Sequence, residues 1–140
     1  MDKVNKRKIL LLSLICFIVL SFWGAREEHY LGRGFTYIES PSLITYWKRN
    51  DTLQFDISPK VLSYNNSWNF LLIKQRPNPY PHREDTPYNY AFGRDTVYYF
   101  FIDKSTKKVT GPLLYADMEL FLREKDLSQM LQKLESKKEF

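Results

Sequence analysis

From Ile9 to Ala25 the chain reads ILLLSLICFIVLSFWGA, 17 residues without a charge, preceded by Lys6, Arg7 and Lys8 and followed by Arg26, Glu27 and Glu28. As a helix this run rises about 25 Å, enough to cross the hydrocarbon core of a bilayer with little tilt. Cations on the leading flank stay on the cytoplasmic side, so the chain after Arg26 is expected to face outward. The membrane-interface residues are then Lys6, Arg7 and Lys8 inside and Trp23 outside. The expected location is the cell membrane, single-pass, with a cytoplasmic N-terminus and an extracytoplasmic C-terminal domain. Secretion after cleavage near Ala25 is the alternative: Ala25 suits the last position before a signal-peptidase cut, whereas Trp23 does not suit the third-last. A buried helix of a soluble domain is the third reading of a short apolar run. Cys16, the only cysteine, lacks a lipidation signal around it and a disulfide partner.

The net charge of +5 divides unevenly. Lys3, Lys6, Arg7 and Lys8 against Asp2 place +3 in the first 25 residues, leaving +2 for the 115 that follow. Phosphate binding needs a basic stripe on the folded part. The one short cluster there, Lys104, Lys107 and Lys108, reads as a solvated turn, so nucleic acid is not an expected partner. The aromatic share of 16% includes ten Tyr and ten Phe, residues that favour sheets.

This composition and length suit a single extracytoplasmic domain over 34–140, joined by a polar connector at 26–33 to the apolar run at 9–25 and the basic tail at 1–8. Within it the hydrophobic period is two, the signature of strands. Strands are expected at 35–38, 43–48, 52–57, 61–64, 68–75 and 96–103, with a hairpin at 104–108 returning through Val109 and Thr110 to a stop at Gly111–Pro112. In 52–57, Leu53, Phe55 and Ile57 alternate with Thr52, Gln54 and Asp56. By contrast 68–75 and 96–103 are apolar on both faces, which places them in the middle of a sheet. Beyond Pro112 the period lengthens. Ala116, Leu120 and Phe121 mark a first short helix. Asp126, with Gln129 three residues on, reads as a capping box opening a second, whose Leu127, Met130, Leu131 and Leu134 form one stripe. The expected fold class is α+β: a transmembrane helix, then one mainly antiparallel sheet of about six or seven short strands, with one or two helices over 115–137 packed on it.

Four stretches, from Tyr37 onward, Lys60–Val61–Leu62–Ser63–Tyr64–Asn65, FLLIKQ at 70–75 and the closing FIDKSTKKVTGPL, together resemble a family of short bacterial proteins, exported or lipid-anchored, grouped as a domain of unknown function. The resemblance covers roughly 34–122. It implies export and a small β-rich domain, and its signature, a hairpin with a stop, contains no reactive group. The chain departs from the lipid-anchored members in lacking a lipobox and in carrying a longer loop at 77–95.

That loop is the stretch without a packing explanation, with four prolines and three tyrosines in 19 residues. Pro77, Pro79 and Pro81 favour extended polyproline-type backbone. Tyr80, Tyr88, Tyr90 and Phe92 offer rigid amphipathic contact area, and with His82 they are the candidate partner-binding residues; a mobile insertion is the plainer reading. His82, Glu84 and Asp85 are adjacent loop residues and make a poor metal or general-base site, because a structural zinc needs about four ligands at fixed spacing. The only other histidine is His29. No catalytic residue, metal ligand or cofactor is assigned. The function class expected is a membrane-tethered interaction or envelope-structural module with an envelope-protein partner. The alternatives are a small envelope hydrolase using His82 with a carboxylate, and an immunity or inhibitor protein.

Overall fold

The computed structural model describes residues 27–39, 42–48, 52–57, 60–79 and 88–139, with residues 47, 48 and 52–56 described by backbone alone. Eight strands come first: β1 (Glu28–Gly32), β2 (Phe35–Ile38), β3 (Leu43–Lys48), β4 (Thr52–Ile57), β5 (Val61–Asn66), β6 (Phe70–Gln75), β7 (Tyr98–Asp103) and β8 (Lys108–Leu113). Helices α1 (Tyr115–Glu124) and α2 (Ser128–Glu135) follow. All strand pairs are antiparallel, and each sheet is a meander: β1-β2-β3-β4 in one, β5-β6-β7-β8 in the other. The class is therefore α+β, with eight strands in two sheets among the described residues, where the sequence predicts one sheet of six or seven.

The second sheet exists because β6 and β7 have two apolar faces to cover. Leu71 and Ile73 of β6, with Tyr98, Phe100 and Ile102 of β7, point one way and pack against Leu31, Phe35, Tyr37, Ile44 and Ile57 of the first sheet. Leu72, Tyr99 and Phe101 point the other way and pack against Met118, Leu122, Met130, Leu131 and Leu134 of the helices. A single sheet with helices on one side would leave five large side chains in water, each worth ~1.5–3 kcal/mol when buried. The molecule is thus three layers, sheet, sheet and helices, with the second sheet in the middle.

Three departures from the sequence reading have local causes. The stretch 26–33, read as a connector, contains β1. It is an edge strand in which Glu28, His29 and Tyr30 are exposed and only Leu31 is buried, so it carries no alternating signal. Gly111–Pro112 does not stop β8 but sits inside it: Tyr99 faces Leu113 and Phe101 faces Thr110, so β8 holds one extra residue there, a bulge. An edge strand tolerates proline because its missing N–H can face away from the ladder. Gly111 has φ +129, and a Cβ on it would lie 2.6 Å from the Tyr99 carbonyl oxygen.

The third departure is at Asp126, which ends α1 instead of opening α2. The Leu127 N–H bonds the Leu122 carbonyl at 2.8 Å and the Asp126 N–H bonds that of Arg123 at 3.1 Å. This is a Schellman closure, with Asp126 at φ +59 in the left-handed position glycine usually takes. The residue before α2 is Leu127, and no side chain caps that helix. On α1 the buried residues are Met118 and Leu122, while Ala116 and Leu120 face solvent. On α2 the stripe is as expected, with Met130, Leu131 and Leu134 buried.

Candidate functional site: the sheet ends and the exposed face of β1

Of the loop residues proposed for partner binding, Tyr80 and His82 lie outside the described residues, as do Lys6, Arg7, Lys8, Trp23 and the 9–25 run. Among the described residues no helix is long and apolar enough to cross a membrane. Tyr88 and Tyr90 pack on the core. The Tyr88 ring meets Phe100 edge-on at 4.9 Å, and Tyr90 lies 5.1 Å from Tyr98 while its hydroxyl donates to Gln75 Oε1 at 3.2 Å. The same segment is strapped down by the Tyr98 hydroxyl, which accepts from the Phe92 N–H and donates to the Gly93 carbonyl, both at 2.9 Å. The Phe92 side chain alone of these three stays largely in solvent, 65% exposed.

A second set of exposed rings gathers at the other end of β6. Trp68, 78% exposed, sits in the β5–β6 turn, and Tyr30, 72% exposed, sits on β1. Arg33 joins them: its guanidinium lies 5.8 Å from the Trp68 ring and donates to Asn69 Oδ1 at 3.1 Å, while the Tyr30 hydroxyl accepts from the Gly34 N–H at 3.3 Å. The six residues of β6 separate this group from Phe92 by roughly 16 Å, so the two are separate sites; Tyr115, 46% exposed at the start of α1, lies against Tyr99 and joins neither.

What holds the Tyr30, Arg33 and Trp68 group in place is the lysine pair at the β7–β8 turn. Lys104, read from sequence as solvated, is 1% exposed. Its ammonium donates to the Leu31 carbonyl at 2.7 Å and to Asn66 Oδ1 at 2.8 Å, joining the two sheets. Leu31 is the extra residue of the β1 bulge, and a bulge leaves a backbone group outside the ladder. Lys107 donates to the Arg33 carbonyl at 2.7 Å and lies over the rings of Phe35 and Tyr46 at 5.0 and 4.6 Å. Burial, with the like charges of Arg33 and Lys107 nearby, holds the Lys104 ammonium pKa below the ordinary lysine value. A lysine long enough to cross from one sheet to the other is a signal that sequence spacing does not carry.

Between the middle sheet and α1 lies an open cleft of about 330 Å³, walled by Phe70, Phe101, Phe121 and Leu127, with Lys108 and Lys125 at its rim. Its one carboxylate, Asp103, accepts from the Ser105 hydroxyl, which does most to lower its pKa, and from the Ser105 and Thr106 amides of its own turn, which lower it further. The cleft lining mixes these apolar side chains with Asp103, Lys108, Thr110 and Lys125.

At the exposed margin of the core-facing side of β1 and β2, beside the buried Tyr37 that pairs with His29, the strand pairing assembles a group that the sequence reading did not. Glu28 pairs with Ile38 and the Glu39 N–H bonds the Glu27 carbonyl at 3.1 Å, which sets Glu27 opposite Glu39. His29, two residues from Glu27, falls on the same face. One donor atom from each of Glu27, His29 and Glu39 lies within 4.8 Å of the others, and all three residues are exposed. A hydrogen bond and repulsion from the Glu27 carboxylate raise the Glu39 pKa. Glu-x-His on one strand is visible in sequence; the facing glutamate appears only once β1 is known to be a strand. Comparison with protein-family models, with curated proteins and with solved structures gives no match to this chain.

Proposed function

We propose that this chain is a membrane-tethered, extracytoplasmic contact module of a bacterial cell envelope, and that it meets its protein partner through Tyr30, Arg33 and Trp68. The observation that carries the reading is the exposed Trp68 ring under the Arg33 guanidinium, with the exposed Tyr30 bonded to the neighbouring Gly34 amide, on a turn and strand that Lys104 and Lys107 pin in place. Trp, Tyr and Arg are the side chains that most often dominate binding energy at interfaces. A rigid platform lowers the entropy lost on association.

The uncharged run at 9–25 with its cationic flank supports the tether, and the resemblance to short exported bacterial proteins supports the address. Only Arg26 and Glu27 separate that run from β1. At ~3.5 Å per residue, a retained membrane helix would hold β1 within about 10 Å of the lipid surface, within reach of partners in or on the same membrane.

The test places a photo-crosslinking residue at position 68, and separately at Leu120, 55% exposed on the helix layer, in intact cells. A defined adduct from position 68, absent from position 120 and lost when Arg33→Ala is added, is the expected result. Equal labelling from both positions, or none from 68, removes this surface from the function. Full protection of the domain from external protease removes the address.

A further inference from the structure

The geometry points to a binding site for one divalent first-row transition ion, of the Zn²⁺ type, at the exposed margin of the core-facing side of the β1–β2 pair, held by Glu27, His29 and Glu39. The inference is independent of the contact reading, since it uses other residues on another face.

Three features lead to it. Glu27 and Glu39 are solvent-facing side chains with freedom to swing apart, yet each has a carboxylate oxygen within 4.8 Å of the other's and of a His29 ring nitrogen. Two like charges held that close repel unless a proton or a cation lies between them. An imidazole is the third donor, which separates this group from a merely acidic surface: imidazole with carboxylates suits zinc and its neighbours, whereas Mg²⁺ and Ca²⁺ take oxygen donors. The His29 ring is also held in place, stacked on Tyr37 at 5.9 Å and 22°, and Tyr37 is itself buried in the core with its hydroxyl 3.3 Å from Ser42 Oγ.

The spacing fits an ion with little change. Donors around one Zn²⁺ with bonds of ~2.1 Å stand at most about 4.2 Å apart, so a spread within 4.8 Å closes by small rotations of two glutamate side chains. Three protein ligands at an exposed strand margin leave at least one position for water or for a ligand from another molecule. The consequence for the fold is specific. β1 is an edge strand attached to the rest of its sheet only through β2, and an ion bridging Glu27 and His29 to Glu39 would pin the start of that strand, just where the chain leaves the 9–25 run.

The experiment is a calorimetric titration of the full chain in mild detergent with ZnCl₂, accompanied by the visible spectrum of the Co²⁺-loaded protein. Expected are one ion per chain, a Co²⁺ d–d band, binding at least tenfold weaker in His29→Ala and in Glu39→Gln, and unchanged binding in His82→Ala. MgCl₂ at the same concentration gives no heat. His29 and Glu39 are exposed, so their variants fold, and a native circular dichroism spectrum verifies it. Binding that survives His29→Ala, binding lost with His82→Ala alone, or no saturable uptake below millimolar Zn²⁺ overturns the assignment.

Discussion

Lys104 is the residue whose environment departs furthest from what its type suggests. No carboxylate lies within ion-pair distance of it among the described residues, and its ammonium is satisfied by a backbone carbonyl and an amide oxygen. Lys104→Met keeps the stem but leaves both acceptors unpaired, at a cost of about 1–3 kcal/mol. The variant also changes the pH profile. Because the folded-state pKa is lowered, the unfolded chain holds the extra proton between that value and 10.5, and stability from this group rises with pH across that window. Urea midpoints from pH 7 to 10 should therefore rise more, or fall less, in the wild type than in Lys104→Met; parallel profiles would show that burial does not weigh on this ammonium. Gly111 fails for a different reason. Gly111→Ala puts a methyl 2.6 Å from the Tyr99 oxygen and 3.1 Å from Phe100 Cα, both backbone atoms of a central strand, at φ +129. The expected loss is about 2 kcal/mol or more, read as a lower midpoint with unchanged slope. A neutral result would mean that the β8 bulge can relax.

At the scale of elements, Asp126 decides between two accounts of the helix pair. As the left-handed residue of the α1 closure it is strained, and Asp126→Gly should raise stability by ~0.5–1 kcal/mol. As the cap of α2, which the Asp126/Gln129 spacing suggests, the same change would lower it; a urea melt gives the sign. The spacing misleads because capping boxes and Schellman turns draw on the same polar residues, and only the carbonyls of Leu122 and Arg123 say which helix the turn serves. Other elements were legible for equally physical reasons. The strands at 35–38, 43–48 and 52–57 match to the residue, since turn residues bound each one. β6 and β7 are central in their sheet, as two apolar faces require. That same observation already implied a second covering layer, because helices on one side could not hide both faces. β1 was illegible, being an edge strand with one buried residue, and with it went the Glu27, His29 and Glu39 grouping. The buried role of Lys104 was hidden too, since a lysine in a turn is usually solvated and its partners stand 38 and 73 residues away.

The whole molecule should behave as one cooperative unit in spite of its three layers, because both cores share the strands of the middle sheet. Leu71 and Leu72 are neighbours on β6 yet belong to different cores, and Phe100 and Phe101 repeat the pattern on β7. Polar contacts tie the outer layer inward as well: Glu135 of α2 accepts from Lys74 at 2.9 Å and from the Tyr99 hydroxyl at 2.7 Å, and the Met130 carbonyl accepts from Asn65 at 2.9 Å. If the helices came off, Leu72, Tyr99 and Phe101 would meet water on strands whose other face holds the first core together. Leu134→Ala, a cavity at a fully buried helix position, should accordingly cost about 2–5 kcal/mol and should not stay local. Native-state hydrogen exchange reads this directly. The amides of Tyr37 and Ile44 in the far sheet should lose as much protection as those of Tyr99 and Phe101. Protection kept in the first sheet while the helices and middle sheet open would mean that the layers unfold separately and that the shared strands do not couple them.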